Sequence, residues 1–346
     1  MKRFERVMVW GDGSWATALA ALLADAGVST VMWSAFPERL ASLAEHRENR
    51  DYLPEVPLPA ALEFQPDPIA AAEGADLVLS VVPTQYLRQT ASRFSEVLGG
   101  KVPVVSGTKG LEIESFLRPT EVLCQELGAR PSCVLSGPSH AEEVARACPA
   151  SLVAASEDER LAQRVQATFN TKTFRVYTSI DPIGVELAGA LKNVIALAAG
   201  ICDGLELGDN AKAALLTRGL VELARFGKAR GARPETFFGL AGVGDLITTC
   251  TSQHSRNRSV GERLGRGQSL EHILEAMQMV AEGVWTTQAL FGPEAELSGV
   301  QMPIAEQVHA VLFGGRDPRA AVEALMEREP AGELDSLIGD NWPAEA

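Results

Sequence analysis

Cysteine is scarce and unpatterned in this chain: Cys124, Cys133, Cys148, Cys202 and Cys250 are five residues in 346, an odd number with no Cys-x-x-Cys pair. That usage excludes a disulfide framework and a zinc ribbon, and leaves small core residues as the expected role. The five histidines show no metal-ligand spacing either, so no metal is expected. Positive charge is also in short supply. Lys and Arg total 31 against 45 Asp and Glu, a formal net charge of −14, which argues against nucleic acid or an anionic membrane as the main partner. Any anion site must be local, built from a few cations and helix N-termini. Long apolar runs are lacking: no stretch is read as approaching the roughly 18 residues of a membrane span. Met1-Lys-Arg-Phe-Glu-Arg leads into the first strand without a signal-peptide pattern, so a cytoplasmic protein with no integral membrane segment is expected.

What is present is ordinary globular composition, 46% hydrophobic and 22% charged, on a length that suggests two domains at about 150 residues each. The most informative stretch is Val7-Met-Val-Trp-Gly11-Asp-Gly13-Ser-Trp-Ala16, a short apolar strand running into a Gly-x-Gly-x-x-Ala turn and a helix over Thr17–Ala26. Gly27 ends that helix before a second strand, Val28–Trp33. In this context the glycines permit a tight turn and a close backbone approach to a pyrophosphate, which the helix N-terminus would hold. Further apolar runs over Asp76–Val82, Val102–Val105 and Cys133–Leu135 fit strands buried on both faces of a parallel sheet. Each ends in a polar loop, Pro83-Thr-Gln85, Ser106-Gly-Thr-Lys109-Gly110 or Ser136-Gly-Pro-Ser139, at the sheet edge where ligands bind. Ser151–Ala155 and Phe174–Thr178 complete the expected strands.

From Ile180 the pattern turns helical, over Ile183–Cys202, Ala211–Arg230, Val260–Leu264, Leu270–Met279, Thr286–Leu290 and Ile304–Leu312. Asp181-Pro182 reads as a helix start, and Gly231 with Pro234 as a stop and restart. The expected fold is therefore an α/β Rossmann-like, doubly wound domain over 1–179, an all-α domain over 180–330, and a loosely ordered acidic tail over 331–346.

Lys192 is the sharpest single residue, lying in a helix apolar almost all round. Two readings stand for it. Burial would favour the neutral amine and make a proton shuttle, or the stem packs while the ammonium snorkels to solvent. Asn193 adjoins it, and Glu186, seven residues earlier, is placed on the same face as Asn193. A second cluster, Gly239-Leu-Ala-Gly242-Val-Gly244-Asp245 followed by Ser255-Arg256-Asn257-Arg258, offers a close-approach loop and donors suited to phosphate. It equally fits a glycine-rich connection before a solvated basic helix start.

Taken with His46-Arg-Glu-Asn-Arg-Asp-Tyr-Leu-Pro, Ser106-Gly-Thr-Lys-Gly, Leu135-Ser-Gly-Pro-Ser-His-Ala-Glu-Glu-Val and Glu186-Leu-Ala-Gly-Ala-Leu-Lys-Asn-Val, these segments resemble the NAD(P)-dependent glycerol-3-phosphate dehydrogenase family, in order from residue 7 to about 310. The resemblance implies an oxidoreductase that interconverts dihydroxyacetone phosphate and sn-glycerol 3-phosphate, a small phosphorylated triose, and so supplies phospholipid synthesis. It also implies the roles of individual residues. Lys192 would be the catalytic proton donor and acceptor. Lys109, Gly137, Ser139, Lys192, Asp245, Ser255, Arg256 and Asn257 would bind substrate, with Arg256 on the phosphate. Gly11, Gly13, Ser14, Trp15, Lys109, Ala141, Arg256, Val280 and Glu282 would contact NAD(P)H. A dehydrogenase of a small hydroxy acid would instead want a cation for a carboxylate. A nucleotide-sensing module without turnover would leave Lys192 and Arg256 unexplained. The helices of the second domain leave a homodimer open.

Two departures from the family pattern stand out. Where relatives carry basic residues after the second strand, this chain has Ser34-Ala35-Phe36, with no arginine to pair a 2′-phosphate and no carboxylate to repel one. Weak discrimination between NADH and NADPH is the expectation. His140 stands where the family commonly has phenylalanine, and an altered packing contact is expected there.

Overall fold

The computed structural model describes residues 2–277, 281–295, 299–330, 332 and 333. Two compact units emerge, Met1–Glu112 with Leu117–Glu186, and Ile113–Phe116 with Leu187–Ala346. Of the acidic tail expected over 331–346, all but Gly332 and Glu333 lies outside the described residues.

The first unit carries strands β1 (Arg6–Trp10), β2 (Ser29–Trp33), β3 (Glu48–Asn49), β4 (Leu53–Pro57), β5 (Glu63–Phe64), β6 (Leu77–Ser80), β7 (Val104–Ser106), β8 (Ser132–Ser136), β9 (Ala150–Ala155) and β10 (Phe174–Ser179). Its helices are α1 (Ser14–Asp25), α2 (Pro37–His46), α3 (Pro68–Ala72), α4 (Thr84–Ser92), α5 (Pro119–Leu127), α6 (Ala141–Ala145) and α7 (Glu159–Phe169). The main sheet runs β10-β9-β8-β7-β6-β1-β2-β5, while β3 and β4 form a separate antiparallel ladder. Its neighbours are parallel except β8 and β9, so the sheet is mixed, a departure from the all-parallel reading of the sequence. Why the strands read as unbroken apolar runs is plain from their packing. Val7 and Val9 join Leu19 and Leu23 in one core, whereas Met8 and Trp10 face the other, where Trp10 stacks on Phe94 at 4.5 Å between ring centroids. Both faces are dry, as parallel sheets require. Chain order reverses at β1, which has β2 on one side and β6 on the other, and a ligand crevice is expected at the carboxyl edge of such a switch point. Helix α1 begins at Ser14, three residues before the start read from sequence, because Gly13 itself serves as N-cap.

In the second unit the elements are the rest of α8 (Pro182–Gly204), then α9 (Gly208–Ala229), α10 (Asp245–Thr251), α11 (Arg256–Gly265), α12 (Leu270–Glu275), α13 (Glu282–Leu290), α14 (Pro303–Phe313) and α15 (Pro318–Met326). Among the described residues of this unit there is no strand. Asp181 starts α8 as read, accepting from the Gly184 N–H at 3.0 Å. The expectation that no run approaches a membrane span needs correcting: α8 is long and apolar enough by composition, with mean hydropathy 1.6, but 94% of that window is buried within the protein, so it is a core helix. Glycine brings α11 against it. A Cβ on Gly200 would run into the Arg258 carbonyl, and one on Gly261 into the Leu197 carbonyl, so the two backbones nearly touch. Cys133, Cys202 and Cys250 are buried while Cys124 and Cys148 are exposed. Burial pushes the Cys202 and Cys250 thiols up to about 11 and about 12, which leaves both inert near neutral pH.

Glu222 on α9 closes the N-terminus of α14, its carboxylate accepting the backbone N–H groups of Ile304 and Ala305 at 2.9 Å each. Burial pushes its carboxyl up to about 7 against the pull of those two donors. Because the folded value lies above the unfolded one, the native state holds the extra proton between about pH 4.5 and 7, and stability falls as pH rises through that window. Glu222→Gln should flatten this fall, which for the wild type is about 3 kcal/mol at about 1.4 kcal/mol per unit. Melting curves at pH 5 and pH 8 check it, and an undiminished fall in the variant would show that another group is responsible.

Candidate active site

At the carboxyl end of β1 the chain turns through Gly11, whose φ of +119° suits only glycine and whose missing Cβ would sit 3.2 Å from the Val81 carbonyl. Gly13 differs. Its φ is −72°, and a Cβ there would meet nothing within 4 Å, so neither backbone nor packing demands glycine, and the turn is open at this point. Helix α1 follows without a side-chain cap at its N-terminus, leaving N–H groups and a positive dipole end for an anion. Trp15, in the first turn, has a buried indole N–H with no hydrogen-bond partner, close to where a side chain on Gly107 would project. An uncapped helix start, an open turn and an orphaned donor together fit a dinucleotide, the group expected from the glycine motif at Gly11 and Gly13 and from the family resemblance at Ser14 and Trp15.

Asn49 is the residue that sequence reasoning passed over. Buried on β3, it donates to the Asp12 carbonyl at 2.8 Å and to the Thr17 hydroxyl at 2.7 Å, and Thr17 in turn donates to the Gly13 carbonyl at 2.9 Å. It thus holds the glycine turn from outside. The signal was in the His46–Pro54 block, but nothing local in that block says what its asparagine reaches.

Further along the same edge, Lys109 follows β7 and donates to the Gly137 carbonyl at 3.0 Å, where the Ser139 hydroxyl also donates at 2.9 Å. Gly137 has φ +145°, and a Cβ on it would lie 3.0 Å from the Leu152 Cα. The structure therefore brings Lys109, Gly137 and Ser139 into one cluster. Ala141 is the buried first residue of α6, and His140 is that helix's N-cap in extended conformation.

In the second unit Lys192 is only 5% exposed, which rules out the snorkelling reading. Nor is it a bare amine in an apolar helix. Its Nζ donates to the Asp245 carboxylate and, at 2.6 Å, to the Thr249 hydroxyl, which itself lies 3.4 Å from Asp245 Oδ1. Asp245 and Thr249 are one turn apart on α10, a helix that the sequence reading left as loop. The π-helical turn Leu240–Gly244 delivers it, with Gly242 so close to Phe237 that a Cβ would run into its backbone. Ser255, buried, is the N-cap of α11 and accepts from the Arg258 N–H at 3.2 Å. Arg256, the first residue of that helix, is exposed. Buried Asn257 donates to Asn193 Oδ1 at 3.0 Å and accepts from the Gly283 N–H at 2.8 Å. Of the two readings of this segment, the solvated helix start does not hold for Ser255 and Asn257, which make a buried anchor. The carboxylate of Glu186, seven residues before Asn193, is held by Arg118 and Thr120 at 2.6 Å each. Glu282 opens α13 beside Gly283. Val280 lies outside the described residues.

Comparisons with known proteins agree with this arrangement. Residues 6–162 match the N-terminus, and residues 181–323 the C-terminus, of NAD-dependent glycerol-3-phosphate dehydrogenase. A glycerol-3-phosphate dehydrogenase [NAD(P)+] from Pelotomaculum thermopropionicum is 50% identical over 335 residues, 96% of each chain. The crystal structure of glycerol-3-phosphate dehydrogenase from Coxiella burnetii superposes with a TM-score of 0.90 at 39% identity, covering 94% of this chain and 99% of that one. That of the Saccharomyces cerevisiae enzyme does so with a TM-score of 0.78 at 27% identity, covering 94% and 100%. With this identity running through both units, the chain belongs to the NAD-dependent glycerol-3-phosphate dehydrogenase family.

Proposed function

We propose that Lys192 moves the proton in the NAD(P)-dependent interconversion of dihydroxyacetone phosphate and sn-glycerol 3-phosphate that the family carries out. One observation carries the reading: a buried ammonium held by the Asp245 carboxylate and the Thr249 hydroxyl of α10, with an exposed arginine at the start of the helix that follows, α11. A ketone reduced at C2 needs a proton on its oxygen and a positive charge nearby as that oxygen becomes an alkoxide. The nicotinamide of a dinucleotide held at the glycine turn would supply the hydride to carbon. Lys192 supplies the proton and the charge, and in the oxidative direction takes the proton back.

Asp245 and Thr249 fix the direction of the Lys192 ammonium, so that it is aimed without a conformational search. Arg256 binds the phosphate with its planar fork, helped by the N-terminus of α11. Asn257 has one N–H beyond its bonds to Asn193 and Gly283, and that donor serves the substrate; Ser255 keeps its hydroxyl proton for the same purpose. Lys109, Gly137 and Ser139 are also assigned to the substrate, as a cation beside a carbonyl and a hydroxyl suited to a polyol. Gly11, Gly13, Ser14, Trp15, Ala141, Arg256, Val280 and Glu282 are assigned to the dinucleotide. We assign the product to phospholipid synthesis and the enzyme to the cytoplasm.

Lys192→Ala should retain NAD(P)H binding, which the glycine turn provides, and lose turnover by roughly two to four orders of magnitude. Absorbance at the nicotinamide band with dihydroxyacetone phosphate reads this directly, and near-normal turnover would end the assignment.

Arg256→Ala should raise KM for the phosphorylated substrate and depress kcat/KM, because a remote phosphate handle positions the reacting carbon as well as binding it. Unphosphorylated dihydroxyacetone should suffer much less. Equal losses on both substrates would place Arg256 on the dinucleotide alone.

A further inference from the structure

We propose that Asp12, the middle residue of the glycine turn, is the carboxylate that receives the adenosine ribose hydroxyls, and that it gives this chain a preference for NADH over NADPH. The inference rests on the dinucleotide reading of the first unit and goes beyond it. Dinucleotide folds read that ribose from the carboxyl end of the second strand, where an acidic side chain favours free hydroxyls and a basic one a 2′-phosphate. In this chain β2 ends in Trp33 and is followed by Ser34-Ala35-Phe36, which carry no charge. The fold supplies the missing charge from the neighbouring turn.

Ser34 is 3% exposed and donates its hydroxyl to Asp12 Oδ2 at 2.8 Å, while accepting the Phe36 backbone N–H at 3.1 Å. That bond pulls the Asp12 carboxylate across to the end of β2. The main chain of Asp12 is pinned as well, through the Asn49 bond to its carbonyl. Oδ2 is thereby occupied, whereas Oδ1 accepts no hydrogen bond from any described residue. A carboxylate with one oxygen anchored and the other open is suited to accept from a vicinal diol. Asp12 itself lines a small recess of about 20 Å³, together with Arg39, Ser42, Asn49 and Tyr52 among others.

Arg39 is the cation that could argue the other way. Its guanidinium lies 3.6 Å from Asp12 Oδ2 and over the rings of Phe36 and Tyr52, at 4.4 and 5.3 Å to the centroids. Its charge is already matched by the carboxylate. A 2′-phosphate could reach Arg39 only by entering beside Asp12, bringing a second negative group against a side chain that is just 13% exposed. Two hydroxyls meet no such repulsion. The sequence expectation of weak discrimination assumed that no carboxylate was in place, and Asp12 removes that premise.

Dissociation constants for NADH and NADPH, measured on the full chain by quenching of tryptophan fluorescence, test the assignment without turnover. Competition by AMP and by adenosine 2′,5′-bisphosphate repeats the measurement on the adenosine half alone. The wild type should bind NADH at least tenfold more tightly, the scale of a hydrogen bond to a charged group. Asp12→Asn, which keeps the shape and an acceptor for Ser34, should move the NADH to NADPH ratio at least tenfold toward NADPH, and Asp12→Ala should move it the same way. A ratio unmoved by Asp12→Asn would overturn the inference, and so would a wild-type preference for NADPH that Arg39→Ala abolishes. Failure of the wild type to bind either nucleotide would overturn the dinucleotide reading itself.

Discussion

The constraint on which the second unit depends is the burial of one ammonium group. An unpaired charge in a protein interior costs several kcal/mol, so a lysine that is 5% exposed requires a carboxylate brought to it from elsewhere in the chain. Asp245 is that carboxylate, and much of the local architecture serves to deliver it. The glycine-rich turn before α10 passes tightly around Phe237, and α10 then sets Asp245 and Thr249 on one face, four residues apart, so that both reach Lys192. The rest of α8 is apolar all round because it is the core of its unit, and its few polar side chains each find a specific partner: Glu186 with Arg118 and Thr120, Asn193 with Asn257. An apolar helix of that length is fixed in place by packing; its polar residues fix what is packed against it.

Much of this was legible in the sequence, and the boundary of legibility has a physical cause. The strands were readable because a sheet buried on both faces needs unbroken apolar runs, and the Gly11–Gly13 turn because strand, glycine and helix follow one another directly. Lys192 was conspicuous as a charge in an apolar helix. Its partner was not, since the pairing joins positions 53 residues apart and no local pattern records it. The same holds for Asn49, which reaches back to Asp12 and Thr17, and for the antiparallel entry of β9, which depends on where the chain crosses and not on the composition of the strand. Helix α10 escaped notice because a glycine-rich lead-in and a run of threonines read as loop, although the turn that precedes it is itself helical.

The arrangement of the second unit also ties the surroundings of Lys192 to the start of α11. Lys192 and Asn193 are neighbours on α8, and Asn193 accepts from Asn257, the neighbour of Arg256 on α11. Asn257 also takes the Gly283 N–H and so ties the start of α13 to the same point. The glycine contacts between α8 and α11 remove the slack that larger side chains would leave. The ammonium and the base of the arginine are thus mounted on two helices that are held together by this buried amide bridge, by the Arg258–Asp203 ion pair at 2.6 Å and by the glycine packing. On the reading proposed above, binding energy gained at Arg256 would become orientation at Lys192, since a frame that cannot stretch passes on a misfit at one end as a misfit at the other.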